Sequence, residues 1–175
     1  MATFTVLNPA TEQTVATVPS ASAEETDATI ARAVAARAAW RDVAPGERAA
    51  LLRAFADAVD AHIEELAGLE VACSGHPVGQ ARWEAGNVRD VLRYYSAAPE
   101  RLCGRQIPVP GGVDLTFAEP VGIVGLIVPW NFPMPILGWG LGPALAAGNP
   151  VIAKPAERTP LTAVRIGRAS CRERV

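Results

Sequence analysis

The sequence predicts an α/β fold, in which a helical N-terminal part leads into the first β-α-β unit of an incomplete parallel sheet. Three observations carry the prediction. Between residues 22 and 98, apolar side chains recur at steps of three and four, the period of helices with one buried face. From Pro120 to Ala153 there is no Asp, Glu, Lys, Arg or His. Inside that uncharged run, a β-rich segment, a glycine-closed helical segment and a second short β segment follow one another.

The chain has 175 residues, of which 50% are hydrophobic and 19% charged, with a formal net charge of −2. That is a globular composition with enough chain for a core. The arginines of the first hundred residues alternate with Glu and Asp, as on solvated helix faces, and no basic stripe points to nucleic acid. Three cysteines, Cys73, Cys103 and Cys171, match no zinc or redox spacing and fit a reducing compartment. The N-terminus, MATFTVLNPATEQ, lacks a basic n-region and an apolar h-region, so a cytoplasmic location is expected. Pro120–Ala153 is long enough to cross a bilayer, but Pro129, Pro133, Pro135, Pro143 and Pro150 each remove a backbone donor that a lipid-embedded helix needs, and no membrane span is expected.

Taken in order, residues 4–18 read as extended, with a turn at Asn8-Pro9. Ser22 followed by Glu25 is a capping-box pattern that starts a helix through about Trp40. Pro45 opens a second helix, with Leu52, Phe55, Val59, Ile63, Leu66 and Leu69 on one face, ended by Ser74-Gly75-His76-Pro77. A third helix spans about Gln80 to Ala98, with Val88, Val91, Leu92 and Tyr95 facing in. Residues 104–119 read as a hairpin turning at Gly111-Gly112. Val121–Val128 reads as a strand buried on both faces, Met134–Ala147 as a helix closed by Gly148-Asn149, and Pro150–Lys154 as a second strand. Thr159 as cap and Pro160 at the first position open a last helix. Strand, helix, strand, helix gives a right-handed crossover, but so few strands do not complete a nucleotide-binding sheet.

Open α/β sheets bind ligands at the carboxyl ends of their strands. Two such ends are visible, Pro129-Trp130-Asn131 and Lys154-Pro155-Ala156-Glu157. If the strands are neighbours, Trp130, Asn131, Lys154 and Glu157 converge on one crevice. An Asn amide can donate to a developing oxyanion. Lys and Glu three apart suit a ribose diol, and the carboxylate would repel a 2′-phosphate, favouring NAD over NADP. Gly138-Trp139-Gly140-Leu141-Gly142 is glycine-rich but lacks the dinucleotide-binding spacing.

The segment from Glu119 to Ala163 resembles the aldehyde dehydrogenase superfamily, through PWNFP, PALAAGN and KPAERTP in order and at the family's spacing. The N-terminal half agrees in NPATEQTVATVP, in the Trp40–Arg53 run and in CGRQIPV, so the resemblance covers residues 4–165. It implies a Rossmann-like sheet and an NAD(P)-dependent oxidation of an aldehyde to a carboxylate. In that reaction a cysteine thiolate attacks the aldehyde, hydride passes to nicotinamide, and water hydrolyses the thioester. Asn131 matches the family's oxyanion-stabilising asparagine. Lys154 and Glu157 match the residues holding the adenine-side ribose, and Ile127, Pro129 and Trp130 match the strand end lining the cofactor and substrate cleft. The hairpin matches an oligomerisation arm, which implies a homo-oligomer when full length.

The resemblance therefore divides the chain into a helical part (1–103), the arm (104–119), the start of the cofactor-binding sheet (120–165) and a tail (166–175). The tail, IGRASCRERV, does not continue the family's helix, and it is what one reading frame of a widely used short-read sequencing adapter encodes. It is expected to be non-biological, the gene having been truncated by adapter read-through, so Cys171 is no nucleophile. The family's catalytic cysteine, general-base glutamate and pyrophosphate turn are expected beyond residue 175. Cys73 and Cys103 are expected to be structural thiols, His62 and His76 surface residues, and no metal-ligating cluster is expected. Three readings follow: an inactive N-terminal piece of the enzyme, a cofactor-binding or regulatory short form, and a structural fragment pairing with full-length subunits through the hairpin.

Overall fold

The computed structural model describes residues 2–172, with side chains through Ser170. The side chain of Cys171 lies outside that range. Strands β1 (Thr3–Leu7) and β2 (Thr14–Pro19) pair antiparallel. The turn forms where Asn8-Pro9 predicts it: Asn8 Oδ1 accepts from the Ala10 N–H at 2.9 Å, and the Asn8 N–H donates to the Gln13 carbonyl at 2.8 Å. Helix α1 (Ala23–Arg41) opens on the expected capping box, with the Ser22 N–H donating to Glu25 Oε2 at 2.8 Å and the Glu25 N–H to Ser22 Oγ at 3.2 Å.

The single helix expected after Pro45 is two, α2 (Pro45–Asp60) and α3 (Ile63–Ser74). In an unbroken helix the His62 amide would donate to the Ala58 carbonyl. Instead the His62 ring Nδ1 sits 2.7 Å from that oxygen, and the His62 N–H donates to Val59 at 3.0 Å. The apolar period runs through the break because a two-residue reset keeps the same face inward. Gly75, at φ 75°, ends α3 as its Gly-Pro signal predicts. Helix α4 (Val78–Tyr95) follows, then a 3₁₀ turn at Pro99–Arg101.

Strands β3 (Gln106–Val109) and β4 (Gly112–Leu115) form the expected hairpin, and all their residues are exposed. Val109 pairs with Gly112, so the turn residues are Pro110-Gly111 rather than Gly111-Gly112. Proline followed by a glycine at φ 71° is the pattern of a type II turn.

Strand β5 (Val124–Ile127) pairs parallel with β6 (Val151–Lys154). The strand expected over Val121–Val128 is thus shorter, and it is not buried on both faces: Val121 is 86% and Ile127 84% exposed. Its start is drawn off the ladder at Gly122 (φ 130°), whose N–H donates to the buried Asn149 Oδ1 at 2.9 Å. Helix α5 (Pro133–Ala146) packs on both strands and α1 on β6, leaving Gly125 and Ile127 exposed. The glycines of α5 serve that packing. A Cβ on Gly138 would lie 3.2 Å from the Val88 Cα and one on Gly142 2.9 Å from Tyr95, both on α4, while one on Gly140 would press on Leu126 of β5.

Helix α6 (Leu161–Arg172) starts one residue later than expected. The Val164 N–H donates to the Pro160 carbonyl at 3.1 Å, so Pro160 holds the cap position and Thr159 precedes it. The helix runs on to Arg172, so the described part of the tail, residues 166–172, is helical, with Ile166 and Ala169 buried one turn apart. Together Phe55, Leu66, Val88, Leu92, Met134, Leu137 and Ile166 join α2 to α6 in one core. Arg48 closes its upper edge, donating to the carbonyls of Ala146 (3.2 Å), Arg41 (2.9 Å) and Val43 (2.9 Å). Among the described residues no helix is long and apolar enough to cross a membrane.

Candidate functional site

Ile127 and Lys154 are register partners, so the carboxyl ends of β5 and β6 coincide, and the ladder closes with the Val128 N–H donating to the Lys154 carbonyl at 3.0 Å. From these ends the chain enters two loops, Pro129–Phe132 ahead of α5 and Pro155–Pro160 ahead of α6. The prolines of the uncharged run now have a role. Pro133 and Pro135 fall in the first turn of α5, where a backbone donor has no intrahelical acceptor and its loss costs little. Both are buried, and they fix where the loop ends.

The side chains expected at this crevice stand as follows. Ile127 and Trp130 are exposed, at 84% and 58%, and Pro129 is half-buried. Asn131 is exposed, and among the described residues its side chain has no hydrogen-bond partner, so its amide is free to donate. Lys154 Nζ and Glu157 Oε1 form an exposed ion pair, and the hydrogen bond from Lys154 holds the Glu157 carboxyl below the ordinary value. The structure unites Ile127, Lys154 and Glu157. It shows no hydrogen bond or ion pair from Asn131 to Lys154 or Glu157; Asn131 belongs to the α5 side. A residue missed by the sequence reading links the two loops: the Thr159 hydroxyl, buried, donates to the Trp130 carbonyl at 3.5 Å. Its helix-cap pattern hid that role, since the same hydroxyl can accept from a helix N–H or donate to a carbonyl.

Behind the loop, His76 departs from expectation. It is half-buried, its side chain 23% exposed. Its Nδ1 lies 2.7 Å from Glu84 Oε1 and 3.9 Å from Glu70 Oε1, and its ring packs on Phe132 with centroids 5.7 Å apart. Both glutamates are fully buried. Burial raises the Glu70 carboxyl above its ordinary value, the neighbouring Glu84 adding to the effect. Sequence periodicity offered a signal only in hindsight: Glu70 and Glu84 fall on the inward faces of α3 and α4.

Cys73 is buried and its thiol is pushed up to about 11 by desolvation, with Glu70 adding to it, so it is not a ready thiolate. Cys103 is exposed. A cleft of about 710 Å³ lies between α1, α5, β6 and α6 and is lined by Trp40, Leu141, Ile152 and Val164. It is apolar and does not include Asn131, Lys154 or Glu157.

Comparison with known proteins shows the family of the chain. The sequence model of the aldehyde dehydrogenase family matches residues 1–172, and the chain belongs to that family. An aldehyde dehydrogenase of Emericella nidulans is 39% identical over 164 residues, covering 93% of this chain and 33% of the relative. The NADP/NAD-dependent aldehyde dehydrogenase PuuC of Escherichia coli is 37% identical over 169 residues, covering 94% of this chain and 34% of the relative. The crystal structure of PnpE in complex with nicotinamide adenine dinucleotide superposes with a TM-score of 0.95 at 35% identity, covering 98% of this chain and 36% of that one. The chain thus spans about a third of the length of the curated relatives it matches.

Proposed function

We propose that this chain is the amino-terminal part of an NAD(P)-dependent aldehyde dehydrogenase that oxidises an aldehyde to a carboxylate in the cytoplasm. The observation that carries the reading is the coincidence of two parallel strand ends in register, with an Asn131 amide unpaired among the described residues after one and the Lys154–Glu157 pair after the other. The residues present fit a dinucleotide. The Glu157 carboxylate accepts from ribose hydroxyls, Lys154 donates to them, and the exposed Ile127 and Trp130, with Pro129, offer an apolar wall to the ring system. Bound NAD(P) would supply the two-electron acceptor. A fixed carboxylate at the ribose favours NAD over NADP, because a 2′-phosphate would face like charge. Asn131 would donate its N–H to the oxygen of the substrate carbonyl as negative charge develops there.

Among the described side chains no cysteine stands at the strand ends: Cys73 is buried with a raised thiol, and Cys103 follows the helical part. Residues 166–175 are, on this reading, encoded by adapter sequence, and the native frame diverges after Arg165. The test is long-read sequencing of the source DNA, with assay of aldehyde-dependent NADH formation by the 175-residue chain and by the native frame. Turnover by the native frame alone supports the proposal; turnover by the 175-residue chain, or genomic codons for the tail followed by a stop, overturns it. A second reading, a short form that pairs with full-length subunits of a homo-oligomer, rests on the hairpin, where Val113 is 78% and the following Phe117 79% exposed. Co-purification with a longer subunit would favour it.

A further inference from the structure

We propose that Glu70, His76 and Glu84 form a divalent transition-metal site, with one imidazole nitrogen and two carboxylate oxygens as ligands. The three residues come from α3, the α3–α4 connection and α4, and their ligand atoms all lie within 4.8 Å of one another. Two features separate this group from an ordinary cluster of acids. Both glutamates are fully buried, and each keeps one oxygen without a hydrogen-bond partner, Oε1 of Glu70 and Oε2 of Glu84. Glu70 Oε1 points toward the His76 ring at 3.9 Å, too far for a hydrogen bond and open to a shared ion.

The remaining contacts orient the donors without neutralising them. The Thr162 hydroxyl of α6 donates to Glu70 Oε2 at 3.2 Å, and the Gln80 amide donates to Glu84 Oε1 at 3.4 Å. Such outer partners fix a carboxylate's aim in metal sites. Two buried carboxylates beside one imidazole cannot both stay ionised without a compensating charge. A proton can supply it, and so can a cation. Ligand atoms around Zn²⁺ sit about 3.2–3.6 Å apart, given bonds of about 2.0–2.2 Å. The group therefore has to contract by roughly an ångström, within reach of glutamate rotamers. One nitrogen with two oxygens suits Zn²⁺ or Co²⁺ better than Mg²⁺ or Ca²⁺, which favour oxygen alone. A metal on Nδ1 would replace the 2.7 Å contact between His76 Nδ1 and Glu84 Oε1. The inference stands apart from the aldehyde-oxidising reading, because none of its ligands belongs to the strand-end crevice.

The test titrates the 175-residue chain with Zn²⁺ and Co²⁺, after circular dichroism has shown it folded. The expected result is one equivalent of metal retained through gel filtration. Visible Co²⁺ bands should appear without sulfur charge transfer. Glu84→Gln and His76→Ala should abolish equimolar retention, while His62→Ala should keep it. No equimolar binding, thiolate charge transfer from a cysteine, binding unchanged in both ligand variants, or binding of Mg²⁺ and Ca²⁺ alone would each overturn the assignment.

Discussion

Asn131 shows how little a single residue type says and how much its placement adds. An asparagine between a strand and a helix is ordinarily a turn residue satisfied by backbone. Here the flanking Pro129 and Pro133 set the loop, Thr159 ties the neighbouring Trp130 carbonyl, and the Asn131 side chain remains unbonded and exposed. In the native full-length protein, Asn131→Ala should lower kcat by about 10²–10³ with KM little changed, the usual consequence of losing one oxyanion donor. Steady-state kinetics with a fixed aldehyde checks this, and an unchanged kcat would remove Asn131 from the chemistry. Asn149 is the contrasting case. It is buried, accepts from the Gly122 N–H at 2.9 Å and donates to the Ala144 carbonyl at 3.2 Å, so its work is structural.

At the scale of elements, helix α5 owes its position to glycine. Gly142 faces Tyr95 and Val91 so closely that an added Cβ would meet them at 2.9 and 3.0 Å. Gly142→Val should therefore destabilise by about 1–3 kcal/mol through overpacking. Gly68, exposed in α3 with nothing near its Cβ position, is the control: Gly68→Ala should stabilise by about 0.5–1 kcal/mol through helix propensity. Chemical denaturation of the two variants distinguishes packing from propensity. Helices α2 and α4 are also joined by ion pairs, Asp60 with Arg89 at 2.7 Å and with Arg93 at 3.4 Å. The Arg89 hydrogen bond holds the Asp60 carboxyl below its ordinary value. A depressed folded value means the contribution is present above the unfolded value, about 3.9, and is lost as pH falls through the folded one. Asp60→Asn should accordingly lower Tm at neutral pH, and the difference from the parent should close below about pH 4. A difference that persists in acid would assign the effect to packing instead.

For the whole molecule, the decisive feature is a sheet of two parallel strands with an uncovered apolar face. Parallel strands are normally buried on both sides. Here Ile127 is 84% exposed, and a separate apolar cleft of about 710 Å³ is lined in part by Ile152 of β6. Two consequences follow for the chain taken alone. It should bind 8-anilinonaphthalene sulfonate or self-associate, because exposed apolar surface of this kind seeks cover. Its residues 1–165 should bind NAD weakly or not at all by calorimetry, since two strand ends provide only one side of a dinucleotide crevice. Saturable micromolar binding by a monodisperse sample would show that the ribose side suffices.

Local chemistry was legible in the sequence wherever one short segment decides the outcome. The Ser22–Glu25 capping box, the Gly75 helix stop, the Asn8 turn and the β-α-β order could all be read from neighbouring residues, because caps, turns and periodicity act over a few positions. Tertiary structure alone decided what depends on distant partners. The reset at His62 turns on a ring taking a backbone acceptor, and Thr159 reaches back to Trp130 instead of capping its own helix. His76 is drawn between Glu70 and Glu84, and the exposure of one sheet face depends on which elements lie over it. Periodicity marks which face of a segment turns inward; it does not specify what waits there, because that is set by how the elements pack on one another.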